Sequence, residues 1–141
     1  LKIDLTALPG STAAMLRVLV SDGYNTATDE TDGPFVVPAK APVAAIRLPA
    51  NGARFDPEEI VTLEGLMTDP EDSAPWDGVA FTWTSDRDGP IAHGSMTNTS
   101  ILSEGAHTIT LTVTDTDGNT AAQSVRIYVG KFMYLPLVMR R

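Results

Sequence analysis

Apolar residues in this chain recur at every second position. Val61, Leu63 and Gly65 share one parity, as do Val79, Phe81 and Trp83, then Ile109, Leu111 and Val113, and finally Val125, Ile127 and Val129. A period of two places successive side chains on opposite faces of a sheet, so each run reads as a strand with one buried face. Gly, Pro, Asn and Asp interrupt the runs at short intervals, as turns require. The pattern predicts strands over 44–48, 60–67, 79–84, 108–114 and 120–129, with a weaker one inside 95–102 ending at Ile101-Leu102. Nearer the start it predicts strands over 2–8, 14–20 and 35–37. Asp29-Glu30-Thr31-Asp32-Gly33-Pro34 is too polar and too broken to be a strand interior. The one helical hint is Asp56-Pro57-Glu58-Glu59, a single turn at most, with Pro57 at a favoured first position.

The two ends of this pattern repeat each other. Leu16, Val18 and Val20 lead into Ser21-Asp22-Gly23-Tyr24-Asn25-Thr26-Ala27, and Ile109, Leu111 and Val113 lead into Thr114-Asp115-Thr116-Asp117-Gly118-Asn119-Thr120-Ala121. Asp22 and Asp115 are 93 residues apart, close to the roughly 100 residues of an immunoglobulin-type sandwich. The expected fold is all-β: an immunoglobulin-like antiparallel β-sandwich, preceded by the terminal strands of a second similar module. Residues 1–38 are then the C-terminal strands of an incomplete preceding module. Residues 39–42 are the linker, stiffened by Pro38 and Pro42. Residues 43–130 form the complete sandwich, and 131–141 a C-terminal tail.

Composition narrows the partners. The net charge of −8 opposes nucleic acid, whose phosphates need a Lys/Arg stripe that this chain lacks. There is no Cys, so neither disulfides nor thiol chemistry are available. No apolar run approaches the ~20 residues of a membrane-spanning helix.

With the strands placed, residues 43–129 resemble the PKD-like and related immunoglobulin-like domains of bacterial extracellular proteins. The resemblance is carried by Pro42-Val43-Ala44-Ala45-Ile46, by Asp69-Pro70-Glu71-Asp72, and by Phe81-Thr82-Trp83-Thr84-Ser85-Asp86 with Asp88-Gly89. Its most specific part is the run from Gly105 to Gly118. The family often has Tyr where this chain has His107, and a Trp-Asp-Phe-Gly-Asp-Gly turn where it has Trp83 to Gly89. The tail Tyr134-Leu135-Pro136-Leu137-Val138-Met139-Arg140-Arg141 looks like the short apolar and basic end of many secreted multidomain bacterial proteins; its other reading is an extension of the last strand. The resemblance implies an extracellular or cell-surface location.

Catalytic chemistry has little to work with. His93 and His107 are the only histidines, and no zinc motif, nucleophile elbow or phosphate-cradling loop is present. Calcium is the better candidate. An alternating count puts the loop after the second strand and the turn between the last two strands at one pole. Asp69, Glu71, Asp72, Asp115 and Asp117 would then offer hard oxygen donors to Ca²⁺. The alternative is ordinary acidic turn chemistry. Asp86, Asp88 and Glu104 fall at the opposite pole, with Arg87 beside them as an ion-pair partner. Trp83 reads as the core Trp, whereas Trp76, in the acidic loop, is a candidate platform for a sugar ring.

The expected function is a non-catalytic extracellular spacer, adhesion or interaction module at the C-terminus of a larger secreted or surface protein. Its partners would be neighbouring domains, a protein or polysaccharide ligand, and a second copy through the incomplete N-terminal module. The alternative is a carbohydrate-binding accessory module of a secreted hydrolase, using Trp76.

Overall fold

The computed structural model describes residues 4–6, 8–72 and 79–131. Its strands are β1 (Ser11–Ala14), β2 (Arg17–Ser21), β3 (Thr26–Glu30), β4 (Phe35–Val37), β5 (Val43–Leu48), β6 (Arg54–Phe55), β7 (Val61–Thr68), β8 (Ala80–Ser85), β9 (Gly89–His93), β10 (Met96–Thr99), β11 (Gly105–Thr114) and β12 (Thr120–Val129). A three-stranded sheet in the order β10-β7-β5 faces a five-stranded sheet in the order β6-β12-β11-β8-β9. This is the all-β, immunoglobulin-like sandwich that the alternation predicts.

The alternation survives as alternation of burial. Val61, Leu63, Gly65 and Met67 of β7 point inward, opposite Phe81 and Trp83 of β8 and Ile109, Leu111 and Val113 of β11. Register carries this across the sheet, since Trp83 lies beside Leu111 and Phe81 beside Val113. At Gly65 the two sheets approach closely. A Cβ there would stand 2.7 Å from Leu111 Cδ2 and 3.1 Å from Trp83 Cζ2, so only a bare backbone fits beneath the indole.

Four expectations are corrected. The strand over 14–20 is two strands, because the chain changes partner at Leu16: β1 pairs with β4 and β2 with β3, and the Thr31 N–H donates to the Leu16 carbonyl at 3.0 Å. Asp29 and Glu30 belong to β3, whose side chains all face solvent, so their polarity is no obstacle. Asp86-Arg87-Asp88-Gly89-Pro90 has the composition of a turn closing β8, but Gly89-Pro90 opens the strand β9. β9 is an edge strand, where a proline without an N–H is tolerated. The weak strand stops at Thr99; beyond it Ile101 is exposed and Leu102 enters the core as loop.

Asp56 to Glu59 forms one tight turn, with Glu59 Oε2 accepting the Asp56 N–H at 2.7 Å. Of the strand expected over 2–8, residues 2, 3 and 7 lie outside the described residues, and residues 4–6 and 8 are not in a strand.

Candidate functional site

The first pole gathers the loop after β7, the β11–β12 turn and the chain entering β5. Asp69 Oδ1 accepts the N–H groups of Glu71 and Asp72 at 2.7 and 3.2 Å, folding the loop back on itself. Asp72 then reaches across: its two oxygens accept from the N–H and the hydroxyl of Thr116 at 3.0 and 2.9 Å. The predicted meeting of these two loops is therefore present. Asp115 is buried and gives both oxygens to Asn119, one to its N–H at 2.7 Å and one to its Nδ2 at 2.9 Å. Asp117 is exposed at the tip of the turn. Glu71 Oε1 accepts the Gly10 N–H.

Asp69 Oδ2 and Glu71 Oε2 are buried without a hydrogen-bond partner. The two carboxyls lie against one another. Burial pushes Asp69 above the ordinary carboxylate range, and its contact with Glu71 adds to that rise. Glu71 is also pushed up by burial, but the Gly10 N–H, Asp69 and the Lys40 charge together hold it below its ordinary value.

Calcium would need more. Ca²⁺ takes six to eight oxygens, whereas Asp72 and Asp115 are already engaged as loop ties. Among the described residues no three His, Asp or Glu side chains form a group able to hold a metal ion.

The opposite pole holds a group that the sequence reading placed only in part. His107 lies at the start of β11 and is fully buried. Its Nε2 stands 2.6 Å from the Ser103 carbonyl; a carbonyl oxygen can only accept, so Nε2 carries the proton. Its Nδ1 faces Ser85 Oγ at 2.9 Å and Asp88 Oδ2 at 3.5 Å. Ser85 Oγ also accepts from the N–H groups of Arg87 and Asp88, and Asp88 accepts from the N–H and hydroxyl of Ser103 at 3.0 and 2.8 Å.

Ser, His and Asp thus meet in space, but not in the arrangement of a hydrolase. In a catalytic triad the nucleophile and the carboxylate take opposite ring nitrogens; here both face Nδ1, Nε2 is held by backbone, and the serine is buried. The group is a structural corner. It does with an imidazole what a tyrosine corner does with a phenol, tying the start of a strand to backbone a few residues upstream. Asp88 is held below the ordinary carboxylate range, first by the Ser103 N–H and then by the Ser103 hydroxyl, His107 and Arg87, against the opposing effect of burial. The Arg87 guanidinium lies over Gly105. A Ser-x-x-Asp turn followed by a lone His in a strand was the only sequence signal for this corner.

His93 ends β9 in an exposed position. Trp83 is in the core, with Nε1 donating to the Gly94 carbonyl at 2.9 Å. Trp76, the candidate sugar platform, lies outside the described residues.

The comparisons agree with this geometry. The PKD domain model matches residues 45–128. Among solved structures, the chain is similar to the fibronectin(III)-like modules of Clostridium thermocellum CbhA, at 12% identity and a TM-score of 0.52, over 64% of this chain and 99% of that one. At that identity the likeness bears on the fold alone. No curated protein matches the chain. PKD domains are typically extracellular interaction or spacer modules and generally lack catalysis. The matched span runs from within β5 to within β12, across both sheets and more than half of the sequence, and the chain belongs to the PKD domain family.

Proposed function

We propose that this chain is a non-catalytic spacer and interaction module of a bacterial secreted or surface protein, in which residues 1–38 contribute the closing strands of a neighbouring module of the same kind. The observation that carries the reading is how the polar side chains are used. At both poles the carboxylates fasten loops and turns to one another, as Asp72 does with Thr116 and Asp88 with Ser103. Behind them the interior is apolar. A spacer requires a packed core and fixed ends, and these are what the side chains build.

The tandem part of the reading is supported by the β2–β3 hairpin. Its turn closes as the β11–β12 turn does: Asp22 N–H donates to the Asn25 carbonyl and Asp22 Oδ1 accepts the Asn25 N–H, as Asp115 does with Asn119. Yet Val113 and Leu111 are fully buried, while Val20 and Val18 at the matching positions are 63% and 47% exposed. A lone two-stranded hairpin is marginal in water without further strands.

The test is hydrolysis of activated aryl esters by the wild type and by Ser85→Ala. Neither should exceed the buffer rate. Turnover by the wild type that disappears in a Ser85→Ala protein of unchanged melting behaviour would overturn the non-catalytic reading.

A further inference from the structure

We propose that the Glu71 loop is a docking seat for the chain segment that precedes the sandwich, and that this seat braces the joint so that the N-terminal strands and the sandwich move as one rod. The inference goes beyond the spacer reading and stands on the seat alone.

Three passes of chain and one turn meet there. Glu71 Oε1 accepts the Gly10 N–H, 61 residues away in sequence. Lys40 Nζ donates to the Leu8 carbonyl, and the Lys40 carbonyl accepts from Asn119 Nδ2 at 3.3 Å. The linker is thereby tied on one side to the segment that leads into β1 and on the other to the β11–β12 turn. That turn is tied in its own right to Asp72.

Shape supports the same conclusion. A Cβ at Gly10 would stand 2.7 Å from Ala39 Cα and 2.9 Å from Ala39 N. The two passes are therefore pressed backbone to backbone, a closeness that any side chain at Gly10 would open. Val37 and Pro42, on either side of the exposed Pro38-Ala39 pair, are buried. Relative motion is the default for domains joined by a small polar interface. Two ties at Lys40, in a proline-flanked linker, and the Glu71 hold on Gly10 beside it leave little of that freedom, because Pro fixes φ on both sides of the joint.

Charge contributes as well. Lys40 lies near Glu71, so a cation from the linker and an anion from the sandwich face one another at the seat.

The experiment uses the full chain, which has no native cysteine. Thr28→Cys in β3 and Asn98→Cys in β10 are both exposed and carry one spin label each. Pulsed electron–electron double resonance then reads the distance between the N-terminal strands and the sandwich. The labelled parent should give one narrow distance peak. Gly10→Val and, separately, Glu71→Ala should lose that peak to a broad distribution. The cooperative melt should remain that of the parent.

A broad distribution in the parent would overturn the brace. A peak that stays narrow in both variants would show that something other than this seat holds the joint, which overturns the proposal equally. Should Gly10→Val fail to fold, Glu71→Ala decides, since it removes one acceptor outside the core. Catalysis and ligand binding play no part in the readout, so its failure is separable from that of the spacer reading.

Discussion

Trp83 has no exposed surface, and its one polar atom is paired with the Gly94 carbonyl. Removing the indole leaves a void between two sheets whose other residues are locked in register, and large-to-small changes of this kind cost about 3–5 kcal/mol. Trp83→Ala should therefore lower the unfolding free energy by that much, with a matching fall in the denaturant midpoint. Thr110→Ala, on the outward phase of β11, removes only a hydrogen bond to Ser124 Oγ on β12 and should cost under about 1 kcal/mol. Equilibrium denaturation of the two variants checks the ranking, and a reversed order would place these strands out of register by one residue. Gly65 makes the complementary point. The Cβ of Gly65→Ala would press on Leu111 and Trp83, both fully buried, so overpacking of about 1–3 kcal/mol is expected there.

At the level of elements, each pole is a set of turns closed by side chains, and the two poles respond differently to solution conditions. Asp88 ties the β8–β9 turn to Ser103 and lies beside His107, with its folded-state carboxyl held below the ordinary value of 3.8. A depressed carboxyl contributes stability above its unfolded pKa, and that contribution is lost as pH falls through the folded one. The wild type should therefore lose stability on acidification below about pH 4, and Asp88→Asn should show a shallower acid limb from a lower plateau. Thermal melts from pH 7 to pH 2 measure both. At the other pole, Asp72 and Asp115 are already closed on Thr116 and Asn119. Calcium would have to open those ties to gather its ligands. Calorimetric titration should give no calcium heat beyond that of magnesium, and the melting temperature should be the same in either ion. A calcium-specific rise that vanishes on Asp69→Asn with Asp115→Asn would show instead that the loops rearrange around the ion.

For the whole molecule, the uneven distribution of burial is the dominant feature. The sandwich closes over its own core, whereas all ten residues of β2 and β3 are exposed, Leu19 and Val20 among them, and Tyr24 at their turn is 98% exposed. The Arg17–Glu30 pair across these strands is itself exposed and contributes about 0–1 kcal/mol. Bare strand edges beside apolar side chains recruit other strands. The net charge of −8 works against association between copies, and salt screens it. Light scattering should show self-association that grows with protein concentration and with added salt, and that Leu19→Lys suppresses. A strict monomer at every salt concentration would mean that the hairpin needs no cover.

Alternation by itself determined that the chain is a β-sandwich, which faces of β7, β8, β11 and β12 are buried, and that Trp83 lies at the centre. These follow from a local period of two that the sheet preserves residue by residue. It also placed the 69–72 loop beside the 115–119 turn, because counting strands fixes the pole on which each loop falls. Only the tertiary structure decided what those loops do there. Whether Asp72 meets a cation or Thr116 depends on distances set by residues 44 positions apart, and the partner of Glu71 is a backbone N–H contributed from 61 positions away. His107 was legible as a residue at a strand entrance. That it closes a corner with Ser85, Asp88 and Ser103 depends on β8 and β11 lying side by side. β9 escaped the sequence reading for a related reason: Gly89-Pro90 has the composition of a turn, and only its place at the sheet edge frees a proline from needing an N–H partner.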